Sequence, residues 1–120
     1  MFDVKTIEML RKKERLNRAG LSKLPDGFYE QCQEAMDQAF KSGDDGLFSD
    51  LQRIVQDITE IRQGKILKIA IYRSARFNAL EPVSNILPHE EKMLNEVISV
   101  IHEENYDVDV LLHGYYFQRG

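Results

Sequence analysis

A long helical repeat of apolar residues in the middle of the chain limits the fold more than any other part of the sequence. Its members step along the chain by four, three, four and three positions: Leu47, Leu51, Ile54, Ile58 and Ile61. That spacing places them on one face of an α-helix, and further apolar residues continue the pattern. The sequence therefore predicts one long helix over about 46–76. Because its apolar stripe is wide, we expect other helices to pack against more than one side of it.

Three shorter apolar repeats predict the other helices of a bundle. The first covers residues 3–18, the second begins at Pro25, and the fourth runs from Pro88 to Asn105. Proline is favoured in the first turn of a helix, which supports both proline starts. Gly64 lies inside the long helix, where glycine costs about 1 kcal/mol relative to alanine. Either another helix crosses closely at that point or the long helix bends there, and we favour the close crossing.

Beyond residue 105 the apolar pattern changes from a helical period to alternation. The alternating positions are Val108, Val110 and Leu112, and His113-Gly114 then precedes a run of aromatic residues. Such a pattern predicts two short strands around a turn, and a lone hairpin is marginal in water. We therefore expect an all-α bundle of about four helices with one long central helix over 1–105. A short β tail over 106–120 follows, as the start of a missing or truncated small β domain.

Residue types that support catalysis or metal binding are scattered along the chain. Cys32 is the single cysteine, which excludes an internal disulfide and a zinc site built on thiolates. The histidines His89, His102 and His113 are far apart, and no glycine-rich phosphate loop occurs. We therefore expect no metal, no cofactor and no enzyme activity. The alternative is a site assembled from scattered Glu and His side chains, which predicts a pocket with perturbed pKa values.

The net charge of −4 is unevenly distributed. Residues 1–20 carry +3, from six basic and three acidic side chains, and residues 61–80 carry +5, from five basic side chains alone. Residues 21–60 and 81–120 carry −6 each, from nine and eight acidic side chains against three and two basic ones. This alternation either fixes the register between subunits or reflects solvated helix faces. The acidic total disfavours a uniformly basic nucleic-acid-binding protein.

Two basic clusters stand out within this pattern, at residues 11–18 and 62–76. Phosphate contact is one interpretation of them, and such contact is sensitive to salt. The residues assigned to it are Arg11, Lys12, Lys13, Arg15, Lys68 and Arg76. Neither cluster is interleaved with aromatic residues, as a stacking platform for single-stranded nucleic acid is. The favoured interpretation is therefore a seam of salt bridges against the acidic second and fourth helices.

Three segments resemble motifs of archaeal GINS subunits. Residues 21–30 include Leu-Pro-Asp-Gly-Phe-Tyr, which is similar to the Leu-Pro-x-x-Phe-Tyr opening of the family's second helix. Residues 58–70 carry an Arg followed by Lys-Ile-Leu and a small residue, which is similar to its long helix. Residues 87–94 resemble the Leu-x-x-Glu-Glu-x-x-Leu start of a late helix. The order and spacing of the three motifs extend the resemblance over about 21–101.

This resemblance implies a scaffold of the DNA replication machinery. GINS subunits assemble as homo- or heterotetramers, lie between the MCM helicase and a RecJ-like or Cdc-type partner, and activate unwinding without an active site of their own. A helical domain in first position looks like one of the two subunit classes. We therefore expect a cytoplasmic, nucleoid-associated subunit. Two departures are Gly64, where the family often has a charged or bulky residue, and a chain that stops before a full β domain.

The residues expected at subunit interfaces lie on two helices. They are Phe2, Ile7 and Leu10 on the first helix, and Arg62, Lys65, Ile66 and Ile69 on the long helix. The alternative for each is a place in the chain's own core, which is equally favoured for Ile66 and Ile69. The alternative function is a helical nucleic-acid-binding module that uses the basic clusters at 11–18 and 62–76.

Overall fold

The computed structural model describes residues 2–75 and 81–119, with side chains up to residue 113. Its helices are α1 (Val4–Leu16), α2 (Phe28–Lys41), α3 (Asp45–Ser74) and α4 (Pro88–Arg119). No strand occurs among the residues that the structure describes, and the predicted all-α class is confirmed. The chain divides into two compact units. Unit 1 comprises α1, α2, α3 as far as Lys65, and Ser84–Ile86, and unit 2 comprises the rest of α3 and α4.

Residues that cap or turn the backbone set the starts of α1 and α2. Asp3 accepts hydrogen bonds from the backbone N–H (2.8 Å) and the hydroxyl (2.7 Å) of Thr6, as an N-cap residue does. Helix α2 begins at Phe28 and not at the predicted Pro25. Gly27 has a φ of 65°, a left-handed conformation that glycine adopts without strain. The proline therefore lies in the connection between α1 and α2.

The core of unit 1 is built from its three helices and from the connection between α1 and α2. Its buried apolar residues are Ile7, Leu21, Leu24, Phe28, Cys32, Ala35, Ala39, Leu51, Ile54 and Ile58. Those on α3 recur at helical spacing, so one face of the long helix is buried. Burial also raises the pKa of the Cys32 thiol to about 11. This cysteine is therefore protonated and a poor nucleophile at neutral pH.

Gly64 does not mark a close helix crossing, and that expectation from the sequence is wrong. The residue is exposed, and a Cβ added to it would meet no described atom within 4 Å. Arg62 and Ile66, which are buried, project from the opposite face of the same turns. Helix α3 continues through the glycine because these flanking side chains make the contacts that order the segment.

Helix α4 begins where the sequence predicts. Pro88 occupies its first position, and the Leu87 backbone N–H donates a hydrogen bond to the Glu90 carboxylate (2.9 Å). This is half of a capping box, which satisfies a backbone donor at the helix start. None of the described helices combines the length and the apolar character needed to cross a membrane.

The end of α4 differs from the prediction. The helix continues through Asn105 to Arg119, so the β hairpin predicted over 106–120 is wrong. A helix satisfies its backbone hydrogen bonds within one segment, whereas a hairpin without a neighbouring sheet is marginal. The alternation of Val108, Val110 and Leu112 was therefore not enough to specify strands. The boundary predicted after residue 105 falls inside α4, and its role as a domain boundary stays a prediction.

Candidate functional site

A cluster of charged side chains lies inside unit 1, between α1 and α3. Glu14 on α1 and Arg62 on α3 are fully buried, and Glu14 Oε1 lies 2.7 Å from Arg62 Nη1. The same Arg62 nitrogen donates to the Ser22 carbonyl (2.7 Å), and Nη2 donates to the Asn85 carbonyl (2.8 Å). The hydrogen bonds of this one guanidinium on α3 therefore reach α1, the connection after it and segment 84–86. Glu14, Arg62 and Lys65 together are termed the buried ionic cluster.

Lys65 joins the buried ionic cluster from the next turn of α3. Its ammonium donates to Glu14 Oε2 (2.5 Å) and to the backbone carbonyls of Glu14 (2.6 Å) and Gly20 (2.9 Å). The Ser22 backbone N–H donates to the same carboxylate oxygen (3.1 Å). The last carbonyls of a helix have no partner within it, and Lys65 satisfies one of them at the end of α1. The cluster therefore fixes where α1 stops and how the chain leaves it.

The pKa of Glu14 is lowered even though the residue is buried. Removal from water raises the pKa of this carboxyl, but hydrogen bonds from Lys65, the Ser22 N–H and Arg62, together with the Arg62 charge, outweigh that effect. Glu14 is therefore a carboxylate at neutral pH, which is the form that these donors stabilise.

We expect the lowered pKa of Glu14 to make the fold sensitive to acid. A carboxyl with a lower pKa in the folded chain stabilises the fold above its unfolded pKa, about 4.3. That stabilisation is lost as the pH falls through the folded pKa. The free energy of unfolding, measured in urea from pH 7 to pH 3, should therefore differ between wild type and Glu14→Gln most at neutral pH and less in acid.

The matched control for this experiment is Glu8→Gln, which alters an exposed glutamate on the same helix. We expect its free energy of unfolding to follow the wild type closely at every pH. A Glu14→Gln difference that stays constant from pH 7 to pH 3 would contradict the role given to the carboxylate.

The basic clusters predicted from the sequence are only partly available for phosphate contact. Arg11 Nη1 and Arg15 Nη2 lie 3.0 Å and 3.6 Å from Asp57 Oδ2 on α3. Arg62 and Lys65, at the start of the second cluster, belong to the buried ionic cluster. These pairs join α1 to α3, whereas the sequence favoured a seam against the second and fourth helices. Lys12, Lys13 and Lys68 are exposed, and Arg76 lies outside the described residues.

Unit 1 also has a groove of about 660 Å³ between α1, α2 and α3, lined mainly by apolar residues such as Phe2, Leu47 and Leu51. Asp3 lies at its edge, and its pKa is lowered because the Thr6 hydroxyl and backbone N–H donate to its carboxylate. That shift belongs to a helix cap and needs no catalytic explanation. Among the residues that the structure describes, no three His, Cys, Asp or Glu side chains form a candidate metal site.

Residues 100–112 of α4 expose several large apolar side chains, with the exposed acidic residues Glu103, Glu104, Asp107 and Asp109 between them. The exposed large apolar side chains are Val100, Tyr106, Val108, Val110, Leu111 and Leu112. Residues 100–112 are termed the α4 apolar segment. Leu111 is 71% exposed, and globular monomers rarely leave a large apolar patch in water. The segment is therefore suited to contact with a partner.

Comparison with known protein families identifies the family of this chain. A model of the GINS complex subunit Psf2/Psf3-like N-terminal domain matches residues 12–114. The chain belongs to the GINS subunit family. The match includes the segments 21–30, 58–70 and 87–94, so the GINS resemblance seen in their motifs is confirmed. No curated protein and no solved structure matched the chain.

The residues expected at interfaces of this GINS subunit differ in the surface they expose. Ile7, Arg62 and Ile66 are completely buried. Phe2, Leu10, Lys65 and Ile69 are half-buried, and the rings of Phe2 and Phe28 lie 6.1 Å apart. An interface role for all seven stays a prediction. In the isolated chain the three buried residues stabilise the fold.

Sequence reasoning did not identify Glu14 and Asn85 as parts of the buried network of this GINS subunit. One signal for Glu14 was present, because it follows Ile7 by seven positions and so lies on the buried face of α1. A glutamate on such a face requires a cation. Asn85 has a φ of 64° and donates through Nδ2 to the Leu21 carbonyl (3.1 Å). Its backbone conformation and its partners depend on the tertiary structure.

Proposed function

We propose that this chain is a non-enzymatic GINS subunit that scaffolds the MCM replicative helicase and helps to activate it during DNA replication. Membership of the family implies assembly with other GINS subunits. The α4 apolar segment is the observation that supports this proposal, because it offers a surface for assembly with those subunits. A RecJ-like or Cdc-type protein is the proposed partner on the side of the complex away from the helicase, at the replicating nucleoid.

The arrangement of side chains along the α4 apolar segment supports contact with another subunit. Tyr106 and Val110 are four residues apart, as are Val108 and Leu112, so each pair lies together on the helix. Exposed carboxylates, such as those of Asp107 and Asp109, stand between these pairs. Apolar side chains at the centre of a contact and charged ones at its rim are typical of protein interfaces.

The substitution Leu111→Asp tests this contact. Burial of a leucine contributes about 1.5–3 kcal/mol, so its loss should weaken binding to a partner GINS subunit by about tenfold or more. Binding is measured by titration calorimetry and by co-purification, and circular dichroism checks that the helices remain. The control is Met9→Asp on α1, which also replaces a largely exposed apolar side chain. If Leu111→Asp and the wild type bound the partner GINS subunit with equal affinity, the proposed assembly role of the segment would be contradicted.

Activation of the helicase needs a separate measurement with the assembled complex. The rate of MCM-catalysed DNA unwinding should rise when GINS containing the wild-type chain is added. With the Leu111→Asp chain it should rise less, in proportion to the complex that still forms. If the complex with the wild-type chain does not stimulate unwinding, the chain does not help to activate the helicase, and only the assembly role remains.

A helical nucleic-acid-binding module is the alternative function, and the structure offers it less support. Its candidate contacts include Arg11 and Arg15, which already pair with Asp57 inside unit 1. The exposed cations Lys12, Lys13 and Lys68 remain as candidates for phosphate contact. These few contacts would give weak and salt-sensitive binding, so direct DNA contact is at most an addition to the scaffold role.

A further inference from the structure

The side of α1 that faces away from the core carries two large apolar side chains. Met9 and Leu16 are 64% and 71% exposed, and they lie seven positions apart, so both project from the same side of the helix. Ile7 and Glu14, also seven positions apart, are buried on the opposite side. A surface helix normally places polar residues opposite its buried side. Met9 and Leu16 are therefore apolar side chains that the core of unit 1 does not use.

Lysine side chains surround these two apolar residues. Lys5 precedes Met9 by four positions, Lys12 precedes Leu16 by four, and Lys13 follows Met9 by four, so all lie together on the helix. The three lysines are exposed. The stem of a lysine extends an apolar surface while its ammonium stays in water. These five residues are termed the outer face of α1, which has an apolar centre and a cationic rim.

The charge on this rim is not neutralised within the part of the chain that the structure describes. Lys12 and Lys13 form no ion pair with any described residue. The exposed carboxylate of α1, Glu8, lies 3.7 Å from Arg11, and Asp57 on α3 lies 3.0 Å from the same arginine. The nearby acidic residues therefore pair with an arginine at the flank of α1 and leave the lysines available to a partner.

The outer face of α1 is held in a fixed shape from behind. Asp3 caps the start of the helix, and Ile7 is completely buried against unit 1. The buried ionic cluster fixes the end of the helix, through the Glu14 carboxylate and through the hydrogen bond from Lys65 to the Glu14 carbonyl. A surface that is ordered before binding loses less conformational freedom when a partner docks on it.

We infer that the outer face of α1 binds an acidic amphipathic helix of another protein. The apolar stripe of that helix covers Met9 and Leu16, and carboxylates beside the stripe meet the lysines of the rim. Opposite charges across an interface select the partner and fix its orientation. The inference goes beyond the proposed function, because it concerns a different helix and a partner of stated charge.

Two other anionic partners match the outer face of α1 less well. The phosphates of a nucleic acid would meet the lysines, but they offer no apolar surface to cover Met9 and Leu16. A helix that lies on a membrane inserts a broad apolar face between the lipids. Helix α1 cannot present such a face, because Ile7 on its opposite side is buried in unit 1. A protein helix satisfies both the apolar centre and the cationic rim.

The size of the outer face sets the expected strength of the contact. From Lys5 to Leu16 it covers about 17 Å at 1.5 Å per residue, or about three helical turns. This is well below the roughly 800 Å² per partner that a standard stable interface buries. We therefore expect a dissociation constant in the micromolar range, with exchange fast enough for a transient contact.

A designed peptide tests the inference directly. It is an acidic helix about four turns long, with leucines along one side, glutamates on both flanks of that stripe and alanines elsewhere. A second peptide has the same composition but spreads its leucines around the helix. Each is labelled with a fluorophore and titrated with the full chain, and fluorescence anisotropy measures binding. We expect the first peptide to bind about tenfold more tightly than the second, and more weakly at high salt.

The substitution Leu16→Ser locates the binding surface, with Phe40→Ser as its matched control. Both side chains are exposed, at 71% and 70%, and both are apolar, but Phe40 lies on α2. We expect Leu16→Ser to weaken binding of the first peptide about fivefold or more, because it removes part of the apolar centre. Phe40→Ser should leave the affinity unchanged, and circular dichroism checks that both variants keep their helices.

A pair of lysine substitutions tests the rim. Lys12→Gln with Lys13→Gln should weaken binding of the first peptide about threefold or more, since each exposed ion pair contributes modestly. The control is Lys41→Gln with Lys68→Gln, which removes two exposed lysines from other helices and should change little. The lysine pair on α1 should also reduce the dependence of the affinity on salt.

Several results would overturn the inference. These are equal affinity for the two peptides, no binding of either peptide, and equal effects of Leu16→Ser and Phe40→Ser. Binding of duplex DNA, or of phosphatidylcholine vesicles containing phosphatidylserine, in place of the first peptide would assign the outer face to a different partner. Self-association that Leu16→Ser abolishes would assign it to a second copy. The proposed function is tested separately by Leu111→Asp, which should leave peptide binding unchanged, so either idea can fail while the other stands.

Discussion

Replacing Arg62 with Met is expected to lower the free energy of unfolding by about 3–5 kcal/mol, the loss typical when one partner of a buried ion pair is removed. The substitution removes the guanidinium that donates to Glu14 and to the carbonyls of Ser22 and Asn85. The Glu14 carboxylate then stays buried with Lys65 as its remaining cation. The two carbonyls lose a donor, which carries a desolvation penalty of its own. Urea denaturation followed by circular dichroism measures the change.

Two further variants show whether burial explains this effect. Arg53→Met removes an arginine whose side chain is 68% exposed and lies 3.3 Å from Asp50, and it should change the free energy of unfolding by no more than about 0.5 kcal/mol. Arg62→Lys should recover little, because one ammonium cannot reproduce the planar fork of donors. An effect of Arg62→Met as small as that of Arg53→Met would contradict the importance given to the buried ionic cluster.

The second large effect is expected from Ile58→Ala, at about 2–5 kcal/mol of lost stability. Ile58 has no exposed surface and lies in the middle of the buried stripe of α3. Truncation removes apolar contacts and leaves a cavity that the surrounding helices can fill only by shifting. The midpoint of urea unfolding should fall while its slope stays unchanged. Dilute protein is used so that self-association does not add to the measured stability.

Leu67→Ala is the control for the core substitution. It lies on the same helix but is 45% exposed, so truncation removes less buried surface, and we expect a loss of about 1 kcal/mol or less. If Ile58→Ala and Leu67→Ala reduced stability equally, the buried stripe would not be the main source of the stability of α3.

The helices were predictable because their signals are local. The period of Leu51, Ile54 and Ile58 located α3 within a few residues of its observed ends, and Pro88 marked the start of α4. Pro25 misled the prediction of α2, because the chain turns through Gly27 before the helix begins. The alternation of apolar residues after residue 105 likewise led to a wrong prediction of strands. A short pattern of apolar residues does not specify a strand where no neighbouring sheet exists.

The candidate surfaces were predictable only in part. The sequence showed a wide apolar stripe on α3 and two basic clusters, but it gave no sign of which cations are buried. Arg62 pairs with Glu14 across 48 positions of the chain, and Lys65 reaches the same residue across 51. Gly64, between them, was expected at a crossing and instead lies on the exposed side of α3. Helical spacing shows which residues share a face, but not which face another element covers.

The sequence by itself determined the helical class, the long central helix and membership of the GINS family, because periodicity and motifs depend on residues close together in the chain. Only the tertiary structure decided that Glu14, Arg62 and Lys65 form one buried cluster, that α4 continues as a helix, and that Phe40 stays exposed. These outcomes depend on which surfaces meet when distant segments pack. A charge is buried only where packing supplies its partners, and an apolar side chain stays exposed only where packing within the chain supplies none.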